Sequence, residues 1–286
     1  MAGRGIAAPR SPSSPPYPRA RAAADAPAWD NGAVKTYRDE AIVLRTHPLG
    51  EADRIITVLT RNHGLVRCVA KGVRRTKSRF GARLEPFSVI NAMFYSGRSL
   101  DILTQVDTIR PYGLDIASDY QLYTRANVIA EVTVQICEDN PEEANYLLLL
   151  GALHALAKRR HPADLVLNSY LLRVMALNGW APALHGCAVC GSGGEWNRFD
   201  PAAGGLVCEE CEASAGAAVP APESINLLIN LISGHWPATA QATMVARREA
   251  SALTAAWVQW HLTRRISSYR LVPKMESELA AAAGQE

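Results

Sequence analysis

Four of the six cysteines fall in two pairs, Cys187 with Cys190 and Cys208 with Cys211, in the order C-x2-C-x17-C-x2-C. A two-residue gap lets both sulfurs of a knuckle face one ion, and two knuckles complete a tetrahedron with metal–sulfur bonds of about 2.3 Å. Gly186, Gly191, Gly193, Gly194, Gly204 and Gly205 interleave the cysteines and suit such tight turns. A segment so rich in glycine has no core of its own. Residues 185–212 are therefore expected to fold around one zinc ion per chain, which contributes on the order of 10 kcal/mol to local folding. Four protein ligands close the shell, so the metal reads as structural rather than catalytic. His185, beside the cluster, is the substitute ligand to consider. A redox dithiol competes with this reading, but it has no need of a second pair at this distance.

Cys68 and Cys137 lie in apolar patterns and read as buried free thiols. No disulfide framework is implied, and no apolar signal segment precedes the chain's first strands. The expected compartment is the reducing cytoplasm. The run Tyr146–Ala157 is the longest strongly apolar stretch, and it is too short to span a bilayer, so no membrane role is expected.

Residues 37–112 read as short β-prone runs broken by turns. These are Ile42–Leu44, Arg54–Thr60, Leu65–Ala70, Phe87–Tyr95 and Leu100–Val106, the last two separated by Ser96-Gly97-Arg98-Ser99 as a hairpin. Five strands in so short a span fit a small barrel, with an OB-fold as the natural candidate and an SH3-like barrel as the alternative. Residues 1–36, rich in Ala, Pro, Arg and Ser, cannot bury enough apolar surface and read as a disordered tail. Val34 would serve as a start if encoded by GTG.

Charge is unevenly spread. Residues 37–110 carry thirteen Lys/Arg against seven Asp/Glu, whereas residues 111–286 carry twelve against eighteen. Residues 54–84 hold nine cations and no carboxylate. A solvated face usually mixes signs, so the loop Lys71–Arg83 reads as a phosphate-tracking element facing a polyanion. Arg67, Lys71, Arg74, Arg75, Lys77, Arg79 and Arg83 are the candidate phosphate contacts. About seven phosphate contacts would give a log–log salt slope near −5 on single strands. Phe80 either anchors the loop to the barrel or stacks on an unpaired base.

From Ser118 the period changes to that of helices. Ser118-Asp119 caps the first; Asn140-Pro141-Glu142-Glu143 reads as a cap followed by a first-turn proline. The following helix is apolar nearly all round and is expected to be buried. Pro162–Leu177 forms a third, with Asn178-Gly179 as its stop. Residues 223–233 and about 246–270 give two more, with Trp257 and Trp260 on one core face. Lys158-Arg159-Arg160 and Arg264-Arg265 are placed at helix C-terminal ends, where cations favour the dipole. The architecture is thus α+β: a five-stranded OB-fold barrel at 37–112, an all-helical domain at 113–272 with the four-cysteine zinc module at 185–212, and a C-terminal tail at 273–286.

No Walker motif, no H-E-x-x-H and no G-x-S-x-G occurs, and no H-x-E accompanies the cysteines. The balance favours a binding protein over an enzyme. Two rival classes remain: an OB and zinc-ribbon RNA-binding or transcription-associated protein, and an enzyme of nucleic-acid metabolism.

The segments Tyr37–Arg45, Leu49–Ile56, Ala70–Arg75 and Phe80–Pro86, in that order and followed by the helical and cysteine-bearing parts, resemble the RecO family of bacterial recombination mediators. The likeness runs over about residues 37 to 272. It implies DNA repair and homologous recombination by the RecF pathway. It further implies binding of single- and double-stranded DNA, ATP-free annealing of complementary strands, and help in loading recombinase onto protein-coated single strands. A RecR-type mediator and the single-strand-binding protein are the partners it implies.

Overall fold

The computed structural model describes residues 36–272, except Arg79, Asp139, Asn140, Gly194, Glu195, Glu212, Ala213 and Ala215. The tails read at 1–36 and 273–286 lie outside the described residues, apart from Thr36. Five strands form a closed barrel: β1 (Thr36–Leu49), β2 (Asp53–Thr60), β3 (Leu65–Ala70), β4 (Val89–Tyr95) and β5 (Asp101–Arg110). The order round the barrel is β1-β2-β3-β5-β4. Closure is made by β1, whose first half pairs with β4 and whose second half pairs with β2. A short parallel contact of β3 with β5, Cys68 opposite Asp101 and Val69 opposite Ile102, completes the ring. This order separates the OB-type barrel from the SH3-like alternative.

Strand periodicity explains the core. Ala41, Val43, Ile56, Val58, Val66, Cys68, Ile90, Ala92 and Phe94 point inward at two-residue spacing. The alternate residues Ile42, Leu44, Leu59 and Val89 point outward, yet they are also buried, because they belong to the core of the helical part.

That part contains α1 (Tyr112–Ala117), α2 (Tyr120–Ile136), α3 (Glu143–Ala157), α4 (Ala163–Leu177), α5 (Pro222–Ser233), α6 (Trp236–Thr239) and α7 (Met244–His261). A hairpin of β6 (Trp196–Asp200) and β7 (Gly205–Cys208) stands between α4 and α5. The central helix α4 touches α2, α3, α5 and α7. Two arginine–carboxylate hydrogen bonds from Arg247 to Asp164 and one from Asn168 to Ser251 tie it to α7. Among the described residues no helix is long and apolar enough to cross a membrane.

Asp119 caps α2, accepting from the amides of Gln121 and Leu122 at 2.8 and 3.3 Å. The cap expected at Asn140-Pro141 is different: α3 starts at Glu143 with Glu142 extended before it. Asn140 itself lies outside the described residues. Pro141 is used otherwise, closing over Gly64 in the β2–β3 turn, while the Arg61 guanidinium donates to Glu143 at 2.7 Å. Nor is α3 buried all round, since Leu147 and Gly151 face solvent. The last helix stops at His261 rather than near 270, so Arg264 and Arg265 lie beyond its end. Trp257 is buried, its indole N–H donating to the Trp180 carbonyl, but Trp260 is 62% exposed. At about 100° per residue, Trp257 lies inside the arc between Leu253 and Val258 that faces the core, and Trp260 falls just beyond the Leu253 edge of that arc.

The Gly64–Pro141 contact gives a direct test. Gly64 has φ +67, and a Cβ there would lie 2.7 Å from Pro141 Cβ. Gly64→Ala is expected to cost about 2–3 kcal/mol through backbone strain and overpacking together. Urea denaturation measures this; a midpoint equal to wild type would mean that the turn is not pinned under Pro141.

Candidate metal centre and nucleic-acid interface

The sulfurs of Cys187, Cys190, Cys208 and Cys211 converge within 4.8 Å of one another. Cys190 and Cys208 are 3.8 Å apart at their sulfurs. A tetrahedron with metal–sulfur bonds of about 2.3 Å has an edge near 3.8 Å, so the donor set fits a closed thiolate site. The backbone builds it from two turns. Gly191, with φ +74, ends the first knuckle, where the Gly191 amide donates to the Cys187 carbonyl at 2.9 Å. The second knuckle follows β7. The amide of Cys208 points at Cys187 Sγ from 3.4 Å, and the Ser192 hydroxyl lies 3.4 Å from Cys190 Sγ. Amide hydrogen bonds from Cys190 and Cys208 pull the Cys187 thiol down to about 6. Side-chain hydrogen bonds with Cys208 and then Cys190 push the Cys211 thiol up to about 12. Four sulfurs this close resist full ionisation unless a cation sits among them. His185 is exposed and is not part of the cluster.

The loop after β3 is pinned by two apolar side chains. Val73 and Phe80 are buried in the barrel core, so Phe80 is an anchor rather than a stacking face. Polar contacts hold it from below. The amide of Gly72 (φ +69) donates to Asp53 at 2.7 Å, the amide of Arg74 to the Ala52 carbonyl at 2.9 Å, and the Arg74 guanidinium to the Gly50 carbonyl at 3.0 Å. Lys71, Arg74, Arg75 and Lys77 are exposed, and Arg67 is exposed on β3. Among the described residues none of these five has a carboxylate within 4 Å. Arg83 stands apart, on a 3-10 turn at Gly81–Leu84. Arg79 lies outside the described residues.

A cleft of about 1100 Å³ opens where barrel and helices meet. It brings Arg83 together with Arg45 and Arg54 of the barrel and Arg270 of a C-terminal 3-10 turn, Ser267–Leu271. Arg45 ends a family-like segment without being marked there as a contact, and Arg270 and Tyr123 carry no motif. They come from β1, the C-terminal turn and α2, and single-chain spacing has no signal for such a convergence.

Two family models match the chain: the N-terminal part of recombination protein O over residues 34–112, and its C-terminal part over residues 117–270. The DNA repair protein RecO of Thermobifida fusca (strain YX) is 48% identical over 243 residues, covering 84% of this chain and 100% of that protein. With its OB-type barrel, helical part and four-cysteine cluster, the chain belongs to the RecO family of DNA repair and recombination proteins.

Proposed function

We propose that this protein is a strand-annealing recombination mediator. It binds single- and double-stranded DNA through the loop from Lys71 to Arg83 together with Arg67, anneals complementary strands without ATP, and helps load recombinase onto protein-coated single strands. The supporting observation is the row of exposed cations Lys71, Arg74, Arg75 and Lys77, fixed at Val73 and Phe80 and without carboxylate partners among the described residues. Two DNA strands repel each other, and cations on a fixed loop offset that repulsion by releasing condensed counterions. Guanidinium groups fork onto phosphates, which orients as well as attracts. Arg79 and Arg83 complete the proposed contact set.

Zinc is the ion that suits four converging cysteine sulfurs, one per chain, and its role in this reading is to hold the hairpin rather than to react. The reading includes no catalytic step. Family membership supports a RecR-type mediator and the single-strand-binding protein as partners.

The test is ATP-free annealing of two complementary oligonucleotides at moderate salt, comparing wild type with Arg74→Glu/Arg75→Glu/Lys77→Glu. Wild type is expected to anneal fast and the variant to lose most of that rate. The salt slope for single strands is expected to fall from about −5 to about −3 as three contacts are removed. No annealing by wild type would end the mediator reading. Equal rates would move the DNA site off this loop.

A further inference from the structure

We propose that the cleft between barrel and helices takes unpaired bases of single-stranded DNA. Tyr123 is the stacking face, and Arg45, Arg83 and Arg270 lie along the phosphates. This rests on the nucleic-acid reading above and deepens it, by giving a single strand a site that a duplex cannot enter.

Part of the cleft lining is apolar and open to solvent: Leu114, Tyr123 and Leu271 are 70%, 40% and 49% exposed. So much exposed apolar surface in a concave site marks a binding surface. The same lining carries the cations Arg45, Arg54, Arg83 and Arg270. Its two carboxylates are already engaged, Glu85 with Arg54 at 3.2 Å and Glu131 with the Ser267 and Ser268 amides and hydroxyls. Arg45 reaches only the edge of Glu131, at 3.9 Å. Arg270 is exposed and has no carboxylate within 4 Å among the described residues, so the lining offers positive charge to a polyanion.

Continuity selects that polyanion. The cleft begins at Phe80–Arg83, the end of the basic loop, so a strand leaving the loop passes directly into it. Local strain points to the same place. Phe87 adopts φ +68, uncommon for any residue other than glycine, and its amide is held by the Val43 carbonyl at 2.7 Å. In that conformation its ring meets Tyr123 in a T-shaped contact, centroids 6.2 Å apart at 77°, and Tyr123 remains 40% exposed. An open aromatic face beside cations is the arrangement that holds an unpaired base; in a duplex the bases are already stacked and the face has nothing to take.

The experiment uses the full chain and two probes, labelled oligo(dT) and a blunt duplex of the same length, by fluorescence anisotropy. Tyr123→Leu keeps apolar packing against Phe87 but removes the ring, and Tyr123→Phe keeps the ring. Tyr123→Leu is expected to weaken oligo(dT) binding about tenfold, with Tyr123→Phe and all duplex affinities within about twofold of wild type. Irradiation of an iodouracil-substituted strand is expected to give an adduct at Tyr123. Unchanged oligo(dT) binding by Tyr123→Leu, alongside loss by Arg74→Glu/Arg75→Glu/Lys77→Glu, would overturn the cleft and leave the loop standing. Equal losses on both probes would also overturn it, as would adducts confined to other residues or a cleft that takes an acidic amphipathic peptide in place of the strand. Failure of wild type to bind either probe would end the nucleic-acid reading itself.

Discussion

Cys187→Ser is expected to strip the bound zinc and to lower the melting temperature by about 10 °C or more. The effect is large because the cysteine hairpin is not an appendage. Leu184, Phe199 and Leu206 belong to the main helical core. The Phe199 ring packs on Trp257, centroids 5.9 Å apart, and backbone bonds between Ala183 and the Gly204–Leu206 segment close the base of the module. Without the ion, the inner cluster of the knuckles among the described residues is small: Val207, Ala203, Cys187, Cys208 and Cys211. Loosening them withdraws Phe199 from Trp257, so tryptophan emission should shift to the red as zinc is lost. A chelator should reproduce the wild-type change and add nothing to the variant. One zinc per chain retained by Cys187→Ser, or an unchanged melting curve, would refute the assignment.

The second large effect is expected at Glu131. Its carboxylate accepts from the Ser267 amide and hydroxyl at 3.0 and 2.9 Å, and from the Ser268 amide and hydroxyl at 2.8 and 2.5 Å. Glu131→Ala leaves the Ser268 amide and hydroxyl buried without this partner, at a cost of about 3 kcal/mol, and releases the C-terminal turn that carries Arg270. Burial opposes ionisation of Glu131, but the Ser268 hydroxyl, the two amides and the Ser267 hydroxyl outweigh it and hold the carboxyl below its usual 4.5. A depressed folded pKa means stability that is fully present above that usual value and is lost as pH falls through the folded one. Urea midpoints from neutral pH downward should therefore show a steeper acid decline in wild type than in Glu131→Gln. Parallel declines, with Glu131→Ala as stable as wild type, would remove this anchor.

Elements set by an uninterrupted local pattern were legible in the chain. The strand over Leu65–Ala70 matches β3 residue for residue, because its alternation meets no competing contact. The paired cysteines predict their own convergence, since each knuckle is a local turn. Asn178-Gly179 ends α4 as expected, with Gly179 at φ +88. The misreadings fall where a distant partner overrides the local period. Apolar spacing continues past His261 through Leu262, Ile266 and Tyr269, yet the helix stops, because Ser267 and Ser268 meet a carboxylate on α2. Leu147 reads as core by composition alone, but no other element covers it. The basic loop was visible as a charge run. The cleft was not, because its walls come from β1, α2 and the C-terminal turn.

The outward faces of β1, β2 and β4 carry a timing problem during synthesis. Ile42, Leu44, Leu59 and Val89 leave the ribosome with the first strands, and the helices that cover them follow. At ordinary elongation rates the end of α4 follows Val89 by about 4 to 18 seconds, and the sticky face stays uncovered for that time. The nascent barrel is therefore a client for chaperones until α2 and α4 have emerged. A fragment ending after β5 keeps that face exposed permanently, and it should precipitate where the full chain stays in solution.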